Sequence, residues 1–173
     1  QSISELLDRK EVLELTRLFV FDGYGCNVES WFVGQTFKWL RKHARHIIGL
    51  ISYSDPKAGH LGTVYQSTNW IYQGNRIRPN DSWLFKFEEN GEWQHGRTIF
   101  PYYGTNNPTK IQKVIGKTFW IKKEPRKHRY IYILDKSKKS RILKSLKYPS
   151  LPYPKQSELF EEEIKKLEPI ERT

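Results

Sequence analysis

Six polar side chains crowd one short stretch of this chain: Tyr53, Ser54, Asp55, His60, Thr63 and Tyr65. A carboxylate, an imidazole and a phenol so close together are the types that move protons. Asp55 can orient or deprotonate an amine, His60 can act as general acid or base, and Tyr65 can protonate a leaving group. Each also has an ordinary use. Asp55 precedes Pro56 and can cap its own turn; His60 can serve as a loop donor; Tyr65 can pack with its hydroxyl in water. Gly59, Gly62, Thr63 and Val64 lead into a helix, where free backbone N–H groups suit an anion or an acyl oxygen.

These residues need a frame, and the flanking sequence predicts one. Ile47 to Tyr53 is a short apolar, β-branched run, read as a buried strand. Pro56 and Gly59 break it, and Val64, Thr68 and Ile71 then recur at spacings of four and three, as one helix face requires. Upstream, Val12 to Phe21 reads as a strand. Asn27 is a candidate N-cap for a helix to about His46, with Val33, Phe37, Leu40, Ala44 and Ile47 on its apolar face. Lys38, Arg41, Lys42 and Arg45 lie off that face, as a solvated surface or as phosphate contacts. Trp31 and Phe32 read as core, with base stacking the alternative. Downstream, strands are expected at Trp83–Phe87, Thr118–Ile121 and Arg129–Leu134. A short helix is expected at Thr109–Ile115, a basic amphipathic helix at Ser137–Lys147, and an extended proline-rich segment at Tyr148–Lys155. The tail from Ser157 reads as a last helix capped by Ser157, with Glu161 nearby, or as partly disordered.

With 173 residues, 37% hydrophobic and 14% aromatic, the chain is long enough for one domain with a core built on Trp, Tyr and Phe. The formal charge of +11 favours a polyanionic partner. That charge is uneven: Lys110 to Lys147 holds eleven Lys and three Arg against Glu124 and Asp135. Ser157 to Thr173 is mildly acidic, with six Glu against Lys165, Lys166 and Arg172. Cys26 is the only cysteine, so no internal disulfide forms and a reducing cytoplasm is expected. No apolar run is long enough to span a bilayer. The sequence has no standard metal signature, G-x-S-x-G elbow or Walker loop. Cys26, near a helix start, is read as packing before it is read as a nucleophile.

The string Ser52-Tyr-Ser-Asp-Pro-Lys-Ala-Gly-His-Leu-Gly-Thr-Val-Tyr-Gln-Ser-Thr-Asn-Trp-Ile-Tyr-Gln-Gly74 resembles the signature of the Mom family of phage DNA-modification proteins. So do Leu18-Phe-Val20 and Asn27-Val-Glu-Ser-Trp-Phe-Val-Gly34. Arg97 with Tyr103-Gly-Thr105, then Arg129-Tyr130 and Pro152-Tyr-Pro-Lys155, fit the same pattern. The resemblance covers about residues 10 to 156. It implies an α/β (α+β) GNAT-like domain over residues 1–156, with a mixed, splayed central sheet flanked by helices, followed by an acidic tail or helix over 157–173. It further implies conversion of adenine in double-stranded DNA to N6-carbamoylmethyl-adenine in the cytoplasm of the bacterial host, protecting phage DNA from restriction.

One departure bears on the donor. GNAT enzymes that use acetyl-CoA carry an Arg/Gln-x-x-Gly-x-Gly/Ala loop, whereas this chain has Lys57-Ala-Gly-His-Leu-Gly62. Carbamoylmethyl has the skeleton of glycinamide, and a bare acetyl donor lacks the amine. A glycyl donor such as glycyl-tRNA therefore stands beside acetyl-CoA as the expected cofactor. On the implied mechanism Asp55 orients N6, Tyr65 or His60 donates the proton, and the backbone at Gly59, Gly62, Thr63 and Val64 holds the donor. Ser30 and Arg97 are expected to contact substrate, and Tyr53 and Tyr103 to stack on the extruded base. Lys122, Lys123, Arg126, Lys127 and Arg129 are expected on DNA phosphates. Two other classes stay open: an acetyl-CoA N-acetyltransferase on a non-DNA substrate, and a non-catalytic basic DNA-binding protein.

Overall fold

The structure, a computed structural model, describes residues 2–21, 23–75, 82–155 and 163–170. In chain order its elements are β1 (Val12–Leu15), α1 (Val28–His43), β2 (Gly49–Ser54), α2 (Thr63–Ser67), β3 (Ile71–Asn75), β4 (Trp83–Lys86), β5 (Gln94–His95), α3 (Gly96–Tyr103), α4 (Pro108–Ile115), β6 (Phe119–Lys123), β7 (His128–Ile133), α5 (Lys136–Lys144) and β8 (Ile164–Leu167). The class is mixed α/β, as expected. The chain forms two compact units, Gln1–Arg76 with Arg126–Leu159 and Ile77–Pro125 with Phe160–Thr173.

In the first unit a mixed sheet runs β1-β2-β7-β3. β1 lies parallel to β2, and β7 pairs antiparallel with both β2 and β3. β2 is buried along almost its whole length, which is why it reads as a continuous apolar run and not as an alternation. One face packs on Val33, Phe37 and Leu40 of α1 and on Tyr65 of α2. The other packs Ile51, Ile131 and Ile133 against Ile142 of α5 and against Ile3. Each such fully buried aliphatic side chain contributes roughly 1.5–3 kcal/mol over exposure. Helices thus cover both faces of this sheet, as the family resemblance implied.

The second unit carries an antiparallel sheet in the order β5-β4-β6-β8, where a single central sheet was expected for the chain. Phe85, Ile99, Ile111, Phe119 and Ile121 form its core under α3 and α4. β8 falls in the segment read as a helix; its Ile164–Leu167 pair with Phe119–Lys122, and Leu167 packs on the core. Lys165 and Lys166 keep this edge strand charged. The expected cap Ser157 and the nearby Glu161 lie outside the described residues.

Other boundaries differ from prediction for local reasons. β1 stops at Leu15, leaving Phe19 and Phe21 exposed. Asn27 sits at the N-cap of α1 but in the left-handed region, φ 68°, with no side-chain cap bond. α2 is a single turn, because Asn69 turns left-handed at φ 61° and Ile71 starts β3. Arg97 lies in α3, whose N-cap is His95, its Nδ1 accepting from the Arg97 N–H at 2.9 Å. Cys26 is exposed, so it is not core packing.

Candidate active site

The strand-to-helix passage at residues 52–66 is held by hydroxyls on one face of the first sheet. Leu50, Ser52 and Ser54 of β2 share that face, opposite Tyr132, Tyr130 and His128 of β7. Ser52 Oγ lies 2.7 Å from the Leu15 carbonyl oxygen and 2.7 Å from the Tyr65 hydroxyl. A carbonyl only accepts, so the single serine proton goes to Leu15 and Tyr65 donates to Ser52. This buried relay ties β1, β2 and α2 together, and it turns the Tyr65 phenol inward.

Tyr130 closes the loop from the other side. Its hydroxyl donates to the Leu61 carbonyl, which also accepts from Gln66 Nε2 at 3.1 Å. The Tyr130 side chain is fully buried, and burial pushes its phenol up to about 12. It therefore stays a proton donor at neutral pH. Gly62 lies against this ring with φ 75°; a Cβ there would stand 2.5 Å from Tyr130 Cε2 and 2.8 Å from Cζ. Glycine is required twice over, by conformation and by space.

At the carboxyl end of β2 the chemistry opens outward. The buried Ser54 Oγ has no hydrogen-bond partner among the described residues. Its cross-strand neighbour His128 is buried too, with Nδ1 2.8 Å from the Tyr72 hydroxyl. Tyr72 also donates to Asn75 Oδ1 at 2.7 Å, so His128 Nδ1 carries the proton that Tyr72 accepts. Just past β2, Asp55 is partly exposed. Its Oδ1 accepts from the Lys57 N–H at 3.0 Å, the turn-capping use foreseen for it, and its Oδ2 lies 3.6 Å from Lys127 Nζ. At that distance and exposure the ion pair is worth at most about 1 kcal/mol. Gly59 ends the short 3-10 turn at φ 73°, and His60 stands exposed, its N–H donating to the Asp55 carbonyl at 3.1 Å.

The first unit thus brings Tyr53, Asp55, Gly59, His60, Gly62, Thr63, Val64 and Tyr65 onto one strand-loop-helix segment. Ser30 is in the first turn of α1, donating to the Asn27 carbonyl at 2.9 Å. Arg126 and Lys127 are exposed at the entry to β7. Arg129 departs from its expected role. It is buried, donating to Gln73 Oε1 at 2.8 Å, to the Ser2 carbonyl at 2.9 Å and to the Tyr53 hydroxyl at 3.3 Å, with its guanidinium 5.0 Å over the Tyr148 ring. That charge organises the α5 side of the sheet and does not reach out to phosphate. Tyr53, its hydroxyl bound to Arg129 and its pKa raised by burial, is half-buried on that same side.

Arg97, Tyr103, Lys122 and Lys123 belong to the second unit. Tyr103 packs against Phe87 at 5.8 Å between ring centroids and borders the core, partly buried. Lys122 is buried over Trp93, its Nζ 4.6 Å from the ring, and is likewise not presented to a phosphate backbone. Arg97 and Lys123 are exposed.

Sequence reasoning missed Ser52, Gln66, Tyr72, His128 and Tyr130. The alternation His128-x-Tyr130-x-Tyr132 was the available signal, since a period of two places all three on one face.

Comparison with known proteins bears on the same segment. The sequence model of the Mom protein family matches residues 1–155. The methylcarbamoylase Mom of Escherichia phage Mu is 27% identical over 154 residues, a match covering 86% of this chain and 58% of that protein. The chain therefore spans little more than half the length of this curated relative. With the family match running through both units, from the first residue to the proline-rich segment after α5, this chain belongs to the Mom protein family.

Proposed function

We propose that this chain is a phage DNA-modifying transferase that converts adenine in DNA to N6-carbamoylmethyl-adenine. The observation that supports it most is the end of β2, where the buried Ser54 hydroxyl, without a hydrogen-bond partner among the described residues, lies across from His128 of the Tyr72–His128 pair and is followed directly by the partly exposed Asp55 and the glycine loop. Such a strand end, followed by a turn and a helix, is where open sheets place reacting groups. The relative in phage Mu carries the name methylcarbamoylase, which points to transfer of a small amide-bearing group. A mixed sheet with helices on both faces suits a GNAT-like acyltransferase.

In this reading Asp55 orients the adenine amine and takes its proton, and the exposed His60 protonates the leaving oxygen of the donor. Tyr65 holds α2 against β2 through Ser52, and the Gly62–Val64 backbone faces the acyl oxygen. The donor is a glycyl ester such as glycyl-tRNA. Adenine N6 attacks the glycyl carbonyl, the ester C–O bond breaks, and the tRNA hydroxyl leaves with a proton. The free glycyl amine then attacks C6, and the original N6 departs from C6 as the carboxamide nitrogen. Every atom of the carbamoylmethyl group is accounted for without an oxidant. Acetyl-CoA alone supplies no such amine.

The test is to express the chain in bacteria, digest the DNA to nucleosides and measure them by mass spectrometry, beside Asp55→Asn. Asparagine caps the Lys57 turn as well as aspartate does, so the variant folds and loses only the charge. Modified deoxyadenosine with the parent and none with Asp55→Asn is the expected result. Equal modification in both would remove Asp55 from the chemistry, and no modification by soluble parent protein would refute the activity. Label from glycyl-tRNA entering the DNA in a purified reaction identifies the donor; label entering only from acetyl-CoA would overturn that choice.

A further inference from the structure

The outward face of α1 carries aromatic bulk that the sequence suggested would be buried. Trp31, Phe32 and Trp39 are 63%, 52% and 59% exposed. At about 100° per residue, Trp31, Lys38, Trp39 and Lys42 cluster opposite Val33, Phe37 and Leu40, which face the core. The two indoles are eight residues apart, about 12 Å along the helix axis. His43 stacks on Trp39 at 5.1 Å between centroids. The segment leading into the helix adds Phe19 and Phe21, both exposed and packed edge to face at 5.2 Å.

Exposed aromatic area on this scale marks an interaction surface, and its charge selects the partner. Lys38 and Lys42 interleave with the indoles and have no ion-pair partner among the described residues. The unit that carries α1 holds nineteen Lys and Arg against nine Asp and Glu, while the other holds eleven against ten. A two-fold contact with a second copy would press this face against itself and set lysine against lysine. A DNA duplex offers phosphates but hides the faces of its bases. Unpaired bases on a phosphodiester chain match both features, since bases stack on indoles and phosphates meet the lysines.

We propose that the outward face of α1 is a platform for single-stranded nucleic acid, with unpaired bases stacked on Trp31 and Trp39 and the backbone held by Lys38 and Lys42. The platform goes beyond the reaction at Asp55 and is read by binding alone. DNA and RNA strands present the same chemistry, so the test carries both.

Anisotropy of labelled single-stranded DNA, single-stranded RNA and duplex DNA of one sequence is measured with the full chain over a range of salt. Trp31→Ala with Trp39→Ala lowers single-strand affinity by about tenfold per ring lost and leaves duplex affinity unchanged. Lys38→Gln with Lys42→Gln flattens the dependence of log affinity on log salt by about 0.7 per lysine. Trp31→Phe with Trp39→Phe, which keeps a stacking ring, retains most of the binding and keeps the test valid should the alanine pair fail to fold. Whichever strand, DNA or RNA, loses more affinity in the alanine pair is the natural source. Unchanged single-strand affinity in that pair overturns the proposal, as does an equal loss on duplex. A dimer in sedimentation that the alanine pair abolishes would also overturn it, assigning the face to self-association.

Discussion

Replacing Gly62 by alanine tests directly how the candidate loop is held. Two separable terms contribute. Gly62 has φ 75°, and an L-residue in the left-handed region costs about 1–2 kcal/mol. The added Cβ also lands 2.5 Å from Tyr130 Cε2 and 2.8 Å from Cζ, distances no real Cβ contact tolerates. The ring cannot swing away cheaply, because Tyr130 is fully buried and its hydroxyl is bound to the Leu61 carbonyl. Overpacking of this kind costs about 1–3 kcal/mol. The sum, about 2–5 kcal/mol, is a large share of a typical domain's stability.

Gly59 is the internal control. Its φ is 73°, nearly the same, but a Cβ there meets nothing within 4 Å. Gly59→Ala carries the conformational term alone, so the difference between the two variants isolates the clash. Urea unfolding followed by tryptophan fluorescence measures both, with Gly62→Ala expected about 1–3 kcal/mol less stable than Gly59→Ala. In a Tyr130→Ala background the gap closes, because the ring that caused it is gone. Equal stabilities of the two alanine variants in the parent background would refute the packing account. A Gly62→Ala protein as stable as Gly59→Ala yet unable to modify DNA would move Gly62 from packing to donor binding.

Other outcomes follow from the same geometry. Tyr65→Phe and Ser52→Ala each break the buried relay; each costs about 1 kcal/mol or more, and the double variant less than the sum, in a thermal-unfolding cycle. Arg129→Ala is expected to lower stability, by about 1–3 kcal/mol for the orphaned Gln73 carbonyl alone, and to leave the salt dependence of DNA binding unchanged. A selective loss of DNA affinity at full stability would instead return Arg129 to the phosphate interface. Tyr130 is neutral in both states below pH 10.0, so its contribution is intact there. Between pH 10.0 and about 12 the unfolded phenol ionises while the folded one resists, so stability falls as pH rises through that window. Melting curves across it, compared with Tyr130→Phe, are expected to show the steeper loss in the parent protein.

What the sequence made legible was local. The run Ile47–Tyr53 announced β2 because strand propensity, burial and the Pro56 stop all agree within ten residues. The spacing of Val33, Phe37 and Leu40 announced the core face of α1 for the same reason, and all three are buried, whereas Ala44 and Ile47, expected on that face, fall beyond the helix, which ends at His43. The hydroxyl row was not legible, because Ser52 meets Tyr130 only after β2 pairs with a strand nearly eighty residues away. Pairing at that separation leaves no mark in either segment alone.

Phase was the remaining source of error, and here the information was present. Arg129 looks like its neighbours Arg126 and Lys127, but it lies inside β7, between His128 and Tyr130. A period of two sends it to the opposite face from those rings, where Gln73 and Tyr53 await it. Trp31 repeats the lesson on a helix. It shares the face of Lys38 and Lys42, at spacings of seven and eleven, so helical phase demanded exposure even though bulk and hydropathy argued for burial. When phase and hydropathy disagree, phase decides where the side chain points, and the disagreement itself marks surface with something to bind. By that criterion α1 bears a stronger binding signal than the basic loop before β7, although the loop has the higher density of charge.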